Sequence, residues 1–346
     1  MANTKNITLL SDNDVDKPFR KKQIYDAIFK KGVVEISAIS TLSKDLRNQL
    51  TQNFHILELE EIVRKESVDG TVKFLFRLHD GKCVEAVFLI DKNNHVTFCI
   101  SSQVGCRMGC VFCKTGTMGL QRNLSALEIL SEVLYLYHFM TAEKGLKDQL
   151  FNIVYMGMGE PLDNLDNVTE SISMITNPTF FGLSPSRITI STCGLLDRIE
   201  PTMQRFPTLR FALSLNHPIQ EEREKIMPIA RKFSLDEIAV KLKDLYTKYK
   251  NRFTLEYVLI KDVNMSKKDI DALQRFRHPA FHINLIPLNH SDDKVKRPEE
   301  KEISRFMQEL EKRHFCVTRR YRRGADIDAA CGELCYQENS NARDFS

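Results

Sequence analysis

From about residue 100 onward, short apolar runs of strand length alternate with longer amphipathic stretches, an order that few chain topologies accommodate. The strand candidates are "NIVYMG" (152–157), "RITIST" (187–192), "RFALSL" (210–215), "TLEYVLI" (254–260), "HINLIP" (282–287) and "FCVTRR" (315–320). Between them lie helical patterns such as "SALEILSEVLYLYHFMTAEKG", "SLDEIAVKLKDLYTKYK" and "PEEKEISRFMQELEKRH". Six such alternations predict parallel βα units with right-handed crossovers. The sheet is then either open and doubly wound or closed into a complete or partial barrel. In both cases ligands gather at the C-terminal ends of the strands.

The segment upstream has a different rhythm. Residues 1–16 are polar and expected to be disordered. Residues 17–90 form a small α+β accessory module, with helical spacing in "PFRKKQIYDAIFKKG" and "ISTLSKDLRNQLTQNF". "TVKFLFRLHDGKCVEAVFLI" alternates about Asp80-Gly81, a hairpin signal, and "HVTFCIS" continues extended. Residues 91–336 then make the main domain and 337–346 a flexible tail. No apolar run approaches the roughly 20 residues of a membrane span, and the first residues lack a secretory layout, so a cytoplasmic protein is expected. The net charge of +4 is unevenly spread. Lys17 to Lys22 and Arg319 to Arg323 are dense basic clusters, suited either to a solvated face or to phosphate contact.

"CISSQVGCRMGCVFCKTG" (99–116) holds four of the nine cysteines. Clustering, an odd count and no secretory signal favour thiolate metal chemistry over a disulfide framework. Cys106, Cys110 and Cys113 stand as C-x3-C-x2-C, which leaves a metal centre one ligand short. The set fits a [4Fe–4S] cluster with one iron open to a ligand. Zinc is the second reading, but it wants a fourth Cys or His nearby, and Lys114 to Gly119 offer none. Three unrelated buried cysteines are the bland reading.

C-x3-C-x2-C after the first strand of a βα chain resembles the radical S-adenosylmethionine (SAM) pattern. "GMGEPL" (157–162), "ITIST" (188–192), "SLN" (214–216), "NLIPLN" (284–289) and "DIDAACGEL" (326–334) follow in order. Together they resemble the RlmN/Cfr family of RNA adenine methyltransferases, from about Pro18 to about Cys335. The resemblance implies an α/β fold, a partial (βα)6 radical SAM barrel with a small N-terminal α+β accessory domain. It implies that Cys106, Cys110 and Cys113 ligate the cluster and that Gly159 and Glu160 hold the SAM amino group. Ser191, Ser214, Leu215, Asn216 and Asn289 would contact the rest of SAM. Cys331 matches the family's methyl-carrying cysteine, Cys99 the one that later pairs with it in a disulfide, and Glu85 the proton-accepting glutamate, offset by one residue relative to Cys99. Cys83, Cys193, Cys316 and Cys335 take no family role and read as ordinary thiols.

The activity so implied is methylation of C2 of an adenosine in the peptidyl-transferase region of 23S rRNA, and of the adenosine beside the tRNA anticodon. Two SAM molecules would be used by a monomer reduced by a flavodoxin or ferredoxin. Pro161 resembles the RlmN branch rather than the Cfr branch, which methylates C8 of the same adenine. Asn216, "PLNH" (287–290) and Cys193 depart from the family pattern. A zinc-stabilised RNA-binding protein without catalysis and a radical SAM enzyme acting on a small molecule are the other readings.

Overall fold

The computed structural model describes residues 4–288, 295–320 and 323–327. Ten strands form one sheet whose spatial order follows the chain. The first three are β1 (Leu59–Glu66), β2 (Val72–Leu78) and β3 (Cys83–Ile90), an antiparallel meander. β4 (Val96–Ile100) pairs antiparallel with β3 and parallel with β5 (Phe151–Tyr155). Parallel pairing then continues through β6 (Ile188–Thr192), β7 (Arg210–Ser214), β8 (Phe253–Leu259), β9 (Phe281–Pro287) and β10 (Val317–Arg319). All six predicted strands are present, and β4 adds a seventh to the parallel run.

The crossover helices start where their sequences say. Ser125 accepts the Glu128 N–H at 3.2 Å while Glu128 accepts the Ser125 N–H at 2.8 Å, a reciprocal cap on helix Ala126–His138. Ser234 and Glu237 cap Leu235–Tyr249 the same way. Ile129, Val133 and Leu136 turn one helical face into the sheet, and Ile153, Ile190, Leu213, Leu255 and Leu285 meet such faces from the strands. Each such side chain contributes about 1.5–3 kcal/mol on burial. Among the described residues no helix is long and apolar enough to cross a membrane.

Two domain expectations need correction. Residues 4–16 are ordered: Lys5–Asn6 pairs in parallel with Phe54–His55, and Ile7 and Leu10 are buried. Their apolar side chains anchor a stretch whose mean polarity suggested disorder, and Tyr25 donates to the Thr8 carbonyl at 3.1 Å. The accessory module also does not end at residue 90. Val87 pairs with Cys99, so 59–90 is part of the barrel's own sheet, and only the helical segment before it stands outside. Exposed edge groups on β4 would otherwise lack backbone partners. The tail at 337–346 lies outside the described residues.

Candidate active site

The C-terminal ends of β4 to β10 surround a cavity of about 240 Å³. Cys106, Cys110, Cys113, Gly159, Glu160, Ser191, Ser214 and Asn216 all line it, so segments 110 residues apart in sequence meet around one cavity. The loop after β4 is sewn to the "GMGEP" turn after β5. Gly157 donates to the Ile100 carbonyl at 2.9 Å, Ser102 to the Met158 carbonyl at 2.8 Å, and the Met158 N–H to Ser101 Oγ at 2.9 Å. The two glycines are required by this seam. A Cβ on Gly157 would lie 2.6 Å from the Ile100 oxygen, and one on Gly159, whose φ is +98°, 2.6 Å from Gln103 Cβ. Both glycines thus pack chain against chain while lining the cavity.

Glu160 is a buried carboxyl on the cavity wall. It is 4% exposed. Its Oε2 accepts the Cys193 N–H at 2.8 Å and its Oε1 the Leu162 N–H at 3.1 Å. Burial pushes its carboxyl above the usual carboxylate range, and the backbone donors oppose that. Each oxygen keeps acceptor capacity, as a buried carboxylate awaiting an ammonium group would. Cys193, read as an ordinary thiol, is buried and also lines the cavity. Below it, buried Arg223 donates to the carbonyls of Cys193 (2.8 Å), Leu215 (3.0 Å) and Ser214 (3.1 Å), so one guanidinium fixes the ends of β6 and β7.

The cysteine triplet faces this carboxylate. Burial pushes the Cys106 thiol up to about 12 and the Cys110 thiol higher still, and the neighbouring Cys113 and Glu160 charges add to both. Such a set resists joint deprotonation until a metal supplies positive charge.

Other predicted residues fall elsewhere. Leu215 is fully buried and does not line the cavity; its backbone N–H donates to the Glu256 carbonyl at 3.0 Å. Cys99 lies behind the wall: its buried thiol takes a hydrogen bond from the Met156 backbone, and Met156 lines the cavity. Glu85 is 1% exposed on β3 and pairs with Lys73 at 2.9 Å. Asn289 and Cys331 lie outside the described residues. The described cysteines are all free thiols, so the Cys99–Cys331 disulfide has no counterpart among them.

Sequence reasoning missed Glu256, Arg320, Met156 and Met227 on the cavity wall. Glu256 had a signal, a charge inside the apolar run "TLEYVLI". Arg320 was assigned to a surface cluster, yet it faces both this cavity and an adjoining one of about 340 Å³. Arg319 of the same cluster ion-pairs with Glu300 at 2.6 Å.

The family model for the radical SAM superfamily matches residues 100–273, and that for the ribosomal RNA large subunit methyltransferase N-terminal domain matches residues 8–56. A probable dual-specificity RNA methyltransferase RlmN from Clostridium novyi is 36% identical over 343 residues, covering 96% of this chain and 98% of that protein. The chain belongs to the RlmN family of radical SAM RNA methyltransferases. Another RlmN relative, from Flavobacterium psychrophilum, is 39% identical, covering 93% of each chain. The crystal structure of a radical SAM methyltransferase from Sphaerobacter thermophilus superposes with a TM-score of 0.83 at 34% identity, covering 91% of this chain and 92% of that one. The RlmN family uses a [4Fe–4S] cluster and SAM, and the thiol wall with its buried carboxylate fits both. RlmN membership also gives the barrel its class, the radical SAM fold.

Proposed function

We propose that this RlmN-family chain methylates C2 of an adenosine in 23S rRNA and of the adenosine beside the tRNA anticodon. The observation that carries the reading is Glu160 lining one cavity with Cys106, Cys110 and Cys113, in a chain alike over nearly its whole length to proteins named as dual-specificity RlmN. A [4Fe–4S] cluster held by these cysteines, with SAM, supplies one-electron chemistry. Glu160 accepts the SAM ammonium, and Gly159, Ser191, Ser214 and Asn216 shape the rest of its berth, with Asn289 completing it. Cys331 carries the methyl group. A hydrogen atom leaves the S-methyl group of Cys331 and that carbon bonds to the adenine ring; the Cys99 thiolate then attacks the Cys331 sulfur of the adduct, the S–S bond forming as the sulfur–carbon bond breaks with its electron pair left on the methylene carbon, which takes up a proton to become the product's methyl group. Glu85 accepts the proton lost from the ring carbon. Adenine must leave its stack to reach the cavity. Phe19, half exposed with the Arg20 guanidinium 5.0 Å from its ring, presents the N-terminal basic cluster to the RNA backbone. The enzyme works as a cytoplasmic monomer and draws electrons from a flavodoxin or ferredoxin.

The test is anaerobic incubation of the cluster-loaded enzyme with SAM, a reductant and a 23S rRNA fragment, followed by mass spectrometry of digested RNA and of Cys331. 2-Methyladenosine in the RNA and a methyl group on Cys331 are expected. 8-Methyladenosine would assign C8 chemistry instead, and unmethylated RNA would overturn the reading.

A further inference from the structure

Away from the cavity, His55, Glu58 and His79 bring three ligand atoms within 4.8 Å of one another. His55 Nε2 lies 2.8 Å from Glu58 Oε1 and His79 Nε2 3.0 Å from Glu58 Oε2. The side chains come from separate pieces of the fold. His55 ends the short strand that pairs with Lys5–Asn6, Glu58 precedes β1, and His79 follows β2 in the hairpin turn. We propose that His55, Glu58 and His79 form a divalent transition-metal site of the zinc class, joining the N-terminal segment to the barrel sheet.

The chemistry of the donor set supports the assignment. Two imidazoles and one carboxylate are a common zinc set that leaves a fourth position for water. Outer partners are in place. Thr4 Oγ1 lies 2.9 Å from His55 Nδ1, so a His55 ring that binds metal through Nε2 can keep its proton on Nδ1 and donate it to Thr4. Asn6 Nδ2 donates to Glu58 Oε1 at 2.8 Å, and the Glu58 N–H donates to Ser131 Oγ at 2.9 Å, fixing both carboxylate and backbone. The side chains of His55 and Glu58 are 27% and 15% exposed and that of His79 is 43% exposed, so a cation can enter from solvent.

The test uses the full-length, cluster-loaded protein, so that the thiol wall is already filled. It is dialysed against Zn²⁺, and zinc and iron are counted per chain by elemental analysis. One zinc per chain is expected beside unchanged iron. His55→Ala and His79→Ala should each lose it, and Thr4→Val should weaken it about 10- to 100-fold, as loss of an outer-shell partner does. Zinc should also raise the melting temperature of the wild type and not of the His variants. No zinc beside the loaded cluster, or zinc retained in both His variants, would overturn the site.

Discussion

Lys73 Nζ sits 2.9 Å from a Glu85 carboxylate oxygen on the neighbouring strand, with both side chains at 1% exposure or less. Two charges so placed cost much to bury, and their mutual attraction offsets that cost only while both remain. Lys73→Met is expected to destabilise the fold by about 3–5 kcal/mol, because it leaves the carboxylate buried beside an apolar group. Lys73→Met combined with Glu85→Leu should recover most of that loss. Denaturant unfolding of the three proteins checks it, and a double variant no more stable than Lys73→Met would refute the pairing argument.

Gly159→Ala meets two penalties, a φ of +98° and a Cβ 2.6 Å from Gln103. A loss of about 1–3 kcal/mol in stability is expected from the backbone alone. Displacing the Glu160 turn should also weaken SAM binding, read by calorimetry. Gln103→Gly should not rescue the variant, because the Gln103 backbone nitrogen still lies 2.8 Å from the added Cβ and the Gln103 Oε1 that accepts the Glu160 N–H at 2.9 Å is lost.

Cys106, Cys110 and Cys113 share the cavity with Cys193, yet Cys193 is tied to Glu160 through its backbone N–H. Alanine at any of the first three should remove the visible iron–sulfur absorbance and lower bound iron. Cys193→Ala should keep both, since its N–H is retained. Chelation of iron from the wild type should abolish methylation while leaving the fold, because the sheet's pairing does not pass through the cysteine loop.

Burial lifts the Cys99 thiol from 9.0 to about 11. In the unfolded chain that thiol ionises first, so between about pH 9 and 11 the folded form binds more protons and loses stability as pH rises. Cys99→Ala should flatten the pH dependence over that window by about 2–3 kcal/mol. Unfolding free energies of both proteins at pH 8 and pH 11 read the difference, and equal slopes would contradict the assignment.

What the sequence determined by itself was local or periodic. Alternating apolar and amphipathic stretches carried the six predicted strands, and the spacing of Cys106, Cys110 and Cys113 carried the chemistry, because pitch and short spacings survive without knowledge of partners. The tertiary structure alone decided which distant residues meet. Strand pairing set Lys73 against Glu85, joined β3 to β4, and put Glu256 and Arg320 on the cavity wall with Glu160. It also buried Ile7 and Leu10 in a segment that looks polar by composition. Lys73, Glu256 and Arg223 were legible only as charges in odd places. Whether such a charge meets solvent, an ion pair or a row of carbonyls depends on the register of the whole sheet, and no local spacing encodes that register.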